Sequence, residues 1–407
     1  MARGRRIGVV GAGPAGILAA LEAAHLGARV LLFDTNPMIG RKLLVTGNGR
    51  CNISNVHATA AAYHCADARF LEMAFRRFGH PETVERLREL GILIYATPDG
   101  WCYPLSESAA AVADLFAAAL ELAGVEIRLK TKITALRPRG DGFTLEAGGP
   151  GQTYEVDRVV VATGGKAHPA LGSKGEFFAV LEALGHTVLP IRPALVPLVA
   201  DMRRLHKLQG VRLDAGLTLW EGERRLGHDV GNLLFTSTGL SGPAAMNLSY
   251  LVSARPHAPL TATIDLLAIH REALFALVAC KRHEPWPLSA LLGAVWPQKV
   301  PPVVLQLADL PAQVRMTELT DDALNRLFDL AGHIEVPIKG TRGFEQAQLS
   351  TGGVPVTEVH PETMASRIVP GLHLAGELLD VHGPCGGYNL QFAFTSGALA
   401  GRGAAGD

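Results

Sequence analysis

A chain of 407 residues predicts two to three domains and a core large enough to stand without disulfide or metal staples. Hydrophobic residues are 48% and charged residues only 19%, with 45 glycines, a composition that excludes disorder. Lysine plus arginine equals aspartate plus glutamate at 38 each, which argues against a protein living on nucleic acid by bulk electrostatics and leaves only a local basic patch open.

Ile7–Val10 is a short apolar run ending in Gly11, the pattern of a buried parallel strand. Ala15–Leu26 follows as a helix and Arg29–Phe33 as the next strand, a strand–helix–strand unit of about 30 residues. Ala109–Leu122 reads as an Ala/Leu helix, Glu126–Leu136 and Phe143–Glu146 as strands, and Arg158–Val161 as an apolar strand stopping at Ala162-Thr-Gly-Gly165. From about Ile191 the texture changes to alternating strand-like pieces (Val211–Trp220, Leu233–Thr236, Thr261–Leu266). Between about Arg271 and Asp329 it turns helical and proline-interrupted. Near Gly340 the alternating strand pattern returns, Gly371–Ala375 is a further buried strand and Leu390–Ala400 a glycine-tolerant helix. The expected fold is α/β: a Rossmann-type domain split in sequence over 1–190 and 341–407, around an insertion at 191–340 that is β-rich over 191–268 and helical over 269–340. The five cysteines are scattered without a CxxC spacing, which excludes a disulfide scaffold or zinc ribbon and suits a reducing compartment. No run reaches about 18 apolar residues and the basic start Met1–Arg6 has no cleavable site, so a cytoplasmic protein with no membrane partner is expected.

Gly11-Ala-Gly13-Pro-Ala15-Gly16 is a GxGxxG placed where dinucleotide binding needs it, after a strand and opening a helix, with Asp34 closing the following strand. The first glycine permits the turn, the second admits a pyrophosphate, the third lets the helix lie on the sheet, and Asp34 is placed for the adenosine ribose. The alternative is a glycine turn in an ordinary α/β protein. The chain then returns after its insertion with Gly371-Leu-His-Leu-Ala-Gly376-Glu377 and opens a second helix at Gly386-Gly387-Tyr388-Asn389-Leu390. A strand tip and a helix N-terminus arriving late suit FAD: Glu377 or Asp380 to hold ribityl hydroxyls, and the helix start to stabilise negative charge at the flavin N1/O2 edge. Ala162, Thr163 and Gly164 form a third contact point. The run Gly40–Asn52 gathers Arg41, Lys42 and Arg50 among Gly47 and Gly49, which tolerate unusual backbone angles. Arg41 and Lys42 are candidates for the pyrophosphate, and Asn48 to Asn52 for the isoalloxazine; a solvated basic loop is the alternative.

The run Gly40–Asn55, the Ala162–Gly165 strand end, Pro193-Ala-Leu-Val-Pro197, Leu240-Ser-Gly-Pro243, Gly352-Gly-Val354 and the segment Ala375–Gly397 together resemble the BaiN/RdsA-like FAD flavoproteins, a family that includes aminoacetone-oxidase-like members. The resemblance spans nearly the whole chain and implies FAD as cofactor. It leaves several acceptors open: an enone-like organic molecule, a small amine, or a uridine of ribosomal RNA. The chain departs from the family pattern at Lys174-Gly-Glu-Phe-Phe178 and at Ser237. The leading expectation is hydride passed from NADPH or NADH, bound transiently between the FAD domain and the insertion, through flavin N5 to an unsaturated small molecule. A ribosomal RNA dihydrouridine synthase, a small-amine oxidase and a non-catalytic flavoprotein are the alternatives. Cys51, Cys385 and His382 are the candidate proton donors, with Tyr388 a rival; an ordinary thiol near pKa 8.5 would serve as the acid, whereas small residues packed beneath the cofactor are the plainer account. Histidine spacing gives no metal site, and Arg203, Arg204 and Lys207 form a basic cluster open to an anionic substrate or RNA, or to solvent alone.

Overall fold

The computed structural model describes residues 4–149 and 151–406. They divide into two compact units: residues 4–192 with 349–406, and the contiguous stretch 193–348. The changeovers fall at Arg192/Pro193 and Gln348/Leu349, against the expected 190/191 and 340/341.

The first unit is built on a parallel sheet. Its strands β1 (Arg6–Val10), β2 (Arg29–Phe33), β3 (Glu126–Arg128) and β4 (Arg158–Val161) are joined by a late strand, β11 (Leu372–Leu374), in the order β11-β4-β1-β2-β3. All the pairings are parallel. Except for the first residue of β1 and β2, these two strands are buried throughout, as a sheet covered on both faces requires. Helix α1 (Pro14–His25) packs on one face, with Pro14 at its first turn, where a missing N–H costs nothing. Between β2 and β3 come α2 (Ala68–Arg77), α3 (His80–Glu89) and α4 (Ala109–Leu122), and an α5 (Phe178–Ala183) follows β4. The sequence expectation of one strand over Glu126–Leu136 is corrected: the chain breaks after Arg128 and resumes at Ile133, where it joins a three-stranded antiparallel sheet.

The second unit is a closed six-stranded barrel of β5 (Leu198–Ala200), β6 (Arg212–Glu221), β7 (Arg224–Phe235), β8 (Gly239–Ser241), β9 (Leu260–Asp265) and β10 (Ile334–Thr341). Closure removes exposed strand edges. Helix α6 (Pro243–Ser253) packs on the barrel, and α7 (Arg271–Cys280), α8 (Leu288–Leu292), α9 (Val300–Leu307) and α10 (Asp321–Gly332) form the helical stretch between β9 and β10. Strand β10 starts inside the 269–340 stretch expected to be helical, ahead of the strand pattern expected near Gly340. It is β because alternate residues Ile334, Val336 and Ile338 face the core, a period of two that no helix satisfies. Each unit buries its own apolar cluster. The chain then returns to the first unit through β11 and ends in α11 (Tyr388–Ala405), which packs along α1.

Candidate functional site

The candidate cofactor residues all belong to the first unit. Gly11 takes φ +103°, and a Cβ there would lie 2.4 Å from the Ala162 carbonyl oxygen, so only glycine fits between β1 and the end of β4. A Cβ on Gly16 would overlap the Gly11 oxygen at 1.8 Å, whereas one on Gly13 would meet nothing within 4 Å. The turn is therefore tight on its sheet side and open at Gly13, the position at which turns of this kind admit a pyrophosphate.

Asp34 is already engaged. Its Oδ2 accepts the Ala12 N–H (2.7 Å) and its Oδ1 accepts the Asn36 N–H (2.7 Å) and side-chain amide (2.9 Å). Arg41 extends this chain by donating to Asn36 Oδ1 (2.8 Å). Lys42 forms a half-buried ion pair with Glu377 (2.7 Å), joining the Gly40–Asn52 run to the segment after β11. The other oxygen of Glu377 accepts from the backbone N–H (2.8 Å) and hydroxyl (3.0 Å) of Ser350. Among the described residues Asp380 accepts one bond, from the Gly352 N–H (2.9 Å). The Thr163 hydroxyl at the end of β4 is buried with no hydrogen-bond partner among the described residues. An unmade bond in such a place costs about 1–3 kcal/mol.

The run after Lys42 turns through left-handed backbone, strained at the two non-glycine residues Asn48 and Cys51. Gly47, Asn48, Gly49 and Cys51 all have φ between 56° and 87°. Asn52 is buried, its amide nitrogen facing the carbonyls of Cys102 (3.2 Å) and Ser54 (3.1 Å). Asn55 donates to the Gly386 carbonyl (2.9 Å), and Asn389 clasps Gly383 by donating to its carbonyl (2.9 Å) and accepting its N–H (2.8 Å). The start of α11 at Gly387, Tyr388 and Leu390 is thus tied to the segment Asn52–Asn55; a Cβ on Gly387 would lie 2.1 Å from Ser54 O. Arg50 instead turns to Tyr95 (3.2 Å), Glu107 (3.0 Å) and the face of Tyr103. On the strand side, the Gly376 N–H is held by the Ser396 hydroxyl (2.9 Å). Ala15 and Ala162 are buried at the base of the same turn, and Gly164 is half-buried beside them.

Sequence reasoning missed a buried polar chain behind the α11 start. Thr83 donates to the Gly79 carbonyl (2.9 Å), so the Gln391 amide nitrogen must donate to Thr83 (2.7 Å) and to Thr395 (3.0 Å). Ser54 then donates to Gln391 Oε1 (2.6 Å), which leaves His80 Nδ1 as the donor into Ser54 (2.8 Å). The direction of each bond follows from the inventory of donors, and it fixes the His80 tautomer. The polar residues in an otherwise apolar helix start were the signal available in sequence.

The candidate proton donors separate by burial. Cys51 is fully buried and burial pushes its thiol up to about 12, above the ordinary value on which a serviceable acid was expected. His382 is buried and stacks on His64 (ring centroids 4.7 Å); burial, then the neighbouring His64, pushes it down to about 3, so it is neutral near pH 7. Cys385 and Tyr388 are half-exposed, with the Tyr388 phenol raised by burial. In the second unit, Arg203 of the basic cluster is taken up by Asp201, whose carboxyl it holds at about 2, and Lys207 donates to Gln306 (2.9 Å).

Among known proteins, residues 5–403 match the family model described as HI0933-like protein Rossmann domain. The chain is 36% identical over 408 residues to a 3-dehydro-bile acid delta(4,6)-reductase of Clostridium scindens, covering 98% of this chain and 99% of that one. It is 31% identical over 393 residues to the ribosomal RNA dihydrouridine synthase of Escherichia coli, covering 95% of each. Among solved structures its fold is like that of 3-ketosteroid-delta4-(5alpha)-dehydrogenase from Rhodococcus jostii RHA1, with a TM-score of 0.53 at 17% identity over 99% of this chain and 97% of that one.

Proposed function

This chain belongs to the HI0933-like Rossmann family of flavoproteins, and from that premise we propose that it is an FAD-dependent oxidoreductase that reduces an unsaturated small organic substrate, with NADPH or NADH as electron source. The observation that carries the cofactor is the cradle itself: a turn closed at Gly11 and Gly16, open at Gly13, beside an orphaned buried hydroxyl on Thr163. The residues present fit FAD. The turn and the start of α1 take the pyrophosphate, with Arg41 and Lys42 as nearby cations. Asp34 keeps about one acceptor site beyond its three bonds, enough for a ribose hydroxyl. Glu377 is likewise committed to three bonds and Asp380 to one, so Asp380 has the greater capacity to accept from the ribityl chain. The backbone of Gly47 to Asn52 and of Gly386 to Leu390 borders the ring system. Bound there, FAD supplies a two-electron hydride carrier.

The chain's own residues orient and supply the proton. Cys51 packs as a small buried side chain, and the proton to the substrate comes from the half-exposed Cys385 or Tyr388. The enone class is supported by full-length likeness to a bile acid reductase, and likeness to the Escherichia coli enzyme supports a uridine in RNA as the second reading.

Anaerobic titration of the yellow protein with NADPH and then NADH tests this. We expect the oxidised flavin band to bleach with one of them and to return on adding a 3-oxo-4,6-diene bile acid. Return only with a ribosomal RNA fragment would transfer the weight to the RNA reading. No bleaching with either nicotinamide would overturn the nicotinamide-driven reductase.

A further inference from the structure

The edge of the parallel sheet opposite the cofactor turn carries an arrangement that the redox reading does not use. Ligands of such sheets sit beyond the carboxyl ends of the strands. At the amino ends, β1, β2 and β4 each begin with arginine: Arg6, Arg29 and Arg158. Arg6 and Arg29 are register partners and Arg158 is one step offset, pairing with Ile7. Register partners share a face, so Arg6 and Arg29 rise side by side about 4.8 Å apart, while Arg158 leaves the opposite face at the same edge and donates to the Asp141 (2.9 Å) and Asp157 (2.8 Å) carbonyls. Arg5 joins them, its guanidinium lying against Gly406 at the end of α11. Acidic groups stand among them, with Glu121 exposed beside Leu122 at the end of α4 and Asp157 and Glu126 at the strand starts. The Asp157 carboxylate accepts the Arg6 backbone N–H (2.7 Å), and Glu126 is paired with Arg128. The positive field is felt inside the fold: buried His373 on β11 is pushed down to about 4, by burial first and then by the charges of Arg158 and Arg5.

The same edge exposes apolar side chains. Leu26 caps the end of α1, three residues before Arg29, and is 50% exposed. Leu122 ends α4, four residues before β3 begins, and at 89% is the most exposed large hydrophobic side chain among the described residues. Phosphate alone would be served by the arginines. A lipid surface uses both kinds of side chain, because leucines sink into the acyl boundary while arginines meet anionic head groups.

We propose that the arginine and leucine edge formed by Arg5, Arg6, Arg29, Arg158, Leu26 and Leu122 docks this protein on an anionic lipid surface, as a peripheral contact on the side of the sheet away from the flavin site. Among the described residues no helix is long and apolar enough to cross a membrane, so the contact is a surface one. It replaces the expectation of no membrane partner drawn from the sequence. It is independent of the substrate reading, since it concerns a different edge of the sheet.

The test is co-sedimentation of the flavin-loaded protein with phosphatidylcholine vesicles, with and without about 30% phosphatidylserine, at low and high salt. Binding is expected only to the anionic vesicles and should fall with salt. Each arginine near the surface is worth about fivefold in partition, so an Arg6→Glu/Arg29→Glu variant should bind at least about 25-fold more weakly. Leu26→Ser/Leu122→Ser should also weaken binding while leaving the residual salt-sensitive. Flavin content and melting temperature report whether each variant is folded, and both should match the parent. Absence of sedimentation with anionic vesicles overturns the proposal, as does binding indifferent to either pair of substitutions. Arginine-dependent binding to a single-stranded RNA without vesicle binding overturns it too.

Discussion

At the scale of single residues, two buried imidazoles make this fold sensitive to acid. His382 and His373 are pushed down to about 3 and about 4, in both cases first by burial. An unfolded chain protonates its histidines near pH 6.5, so below that pH the unfolded state binds protons that the folded state refuses. Their contribution to stability is therefore complete above about pH 6.5 and is lost as the pH falls toward the folded values. Each imidazole removes about 1.4 kcal/mol per pH unit in that window, so between pH 7.5 and pH 5 the pair costs about 4 kcal/mol. Urea unfolding at the two pH values should show this drop, and His382→Gln should shrink it by about 2 kcal/mol. An unchanged pH dependence in that variant would show that His382 titrates normally. Neutrality also removes His382 from the proton donors near pH 7, as burial removes Cys51, so only Cys385 and Tyr388 keep the role proposed for them.

At the scale of elements, the contact of α1 with α11 places the cradle. A Cβ added at Gly397 or Gly401 would lie 2.2 Å from the Ala15 or Ala19 carbonyl oxygen, so the two backbones touch where α11 crosses the dinucleotide turn. Gly397→Ala must push α11 off α1. It should cost about 1–3 kcal/mol in urea unfolding and loosen FAD together with it. Gly13→Ala has nothing within 4 Å to meet, so it should unfold like the parent and yet lose the flavin. Full flavin retention in either variant would contradict the arrangement. The GxGxxG, the two crossing helices and the parallel strands were legible in sequence because each obeys a local rule of turn, period or apolar run. The partners of Glu377 were not: Lys42 lies 335 positions away and Ser350 in a different strand, and nothing local announces such pairs. The helical reading of 269–340 captured α7 to α10 but absorbed β10, whose strand partners lie at Leu260–Ile264 and Leu198–Ala200.

At the scale of the whole molecule, the insertion has the properties of an independent folding unit. Residues 193–348 carry their own buried cluster, from Leu198 to Ile338, within a closed barrel. Their two ends meet: Gln348 donates to the Leu195 carbonyl (3.1 Å), Arg342 to that of Pro197 (3.0 Å), and Leu198 pairs with Thr341. The flanking segments also close on themselves, with Gly352 packed against the Pro190 carbonyl, so a short linker can bridge the gap left by removing the insertion. Two constructions follow from that. The isolated 193–348 chain should be soluble, show the circular dichroism of a mixed helix and strand protein and melt cooperatively, with a stability of about 5–15 kcal/mol as for ordinary domains. The complementary protein, 1–192 joined through a glycine–serine linker to 349–407, should stay yellow, because the candidate FAD contacts lie in those two segments. Loss of flavin from this joined protein, with its secondary structure intact, would mean that the insertion completes the cofactor site. A molten 193–348 fragment would mean that the barrel depends on the flanking unit for its packing.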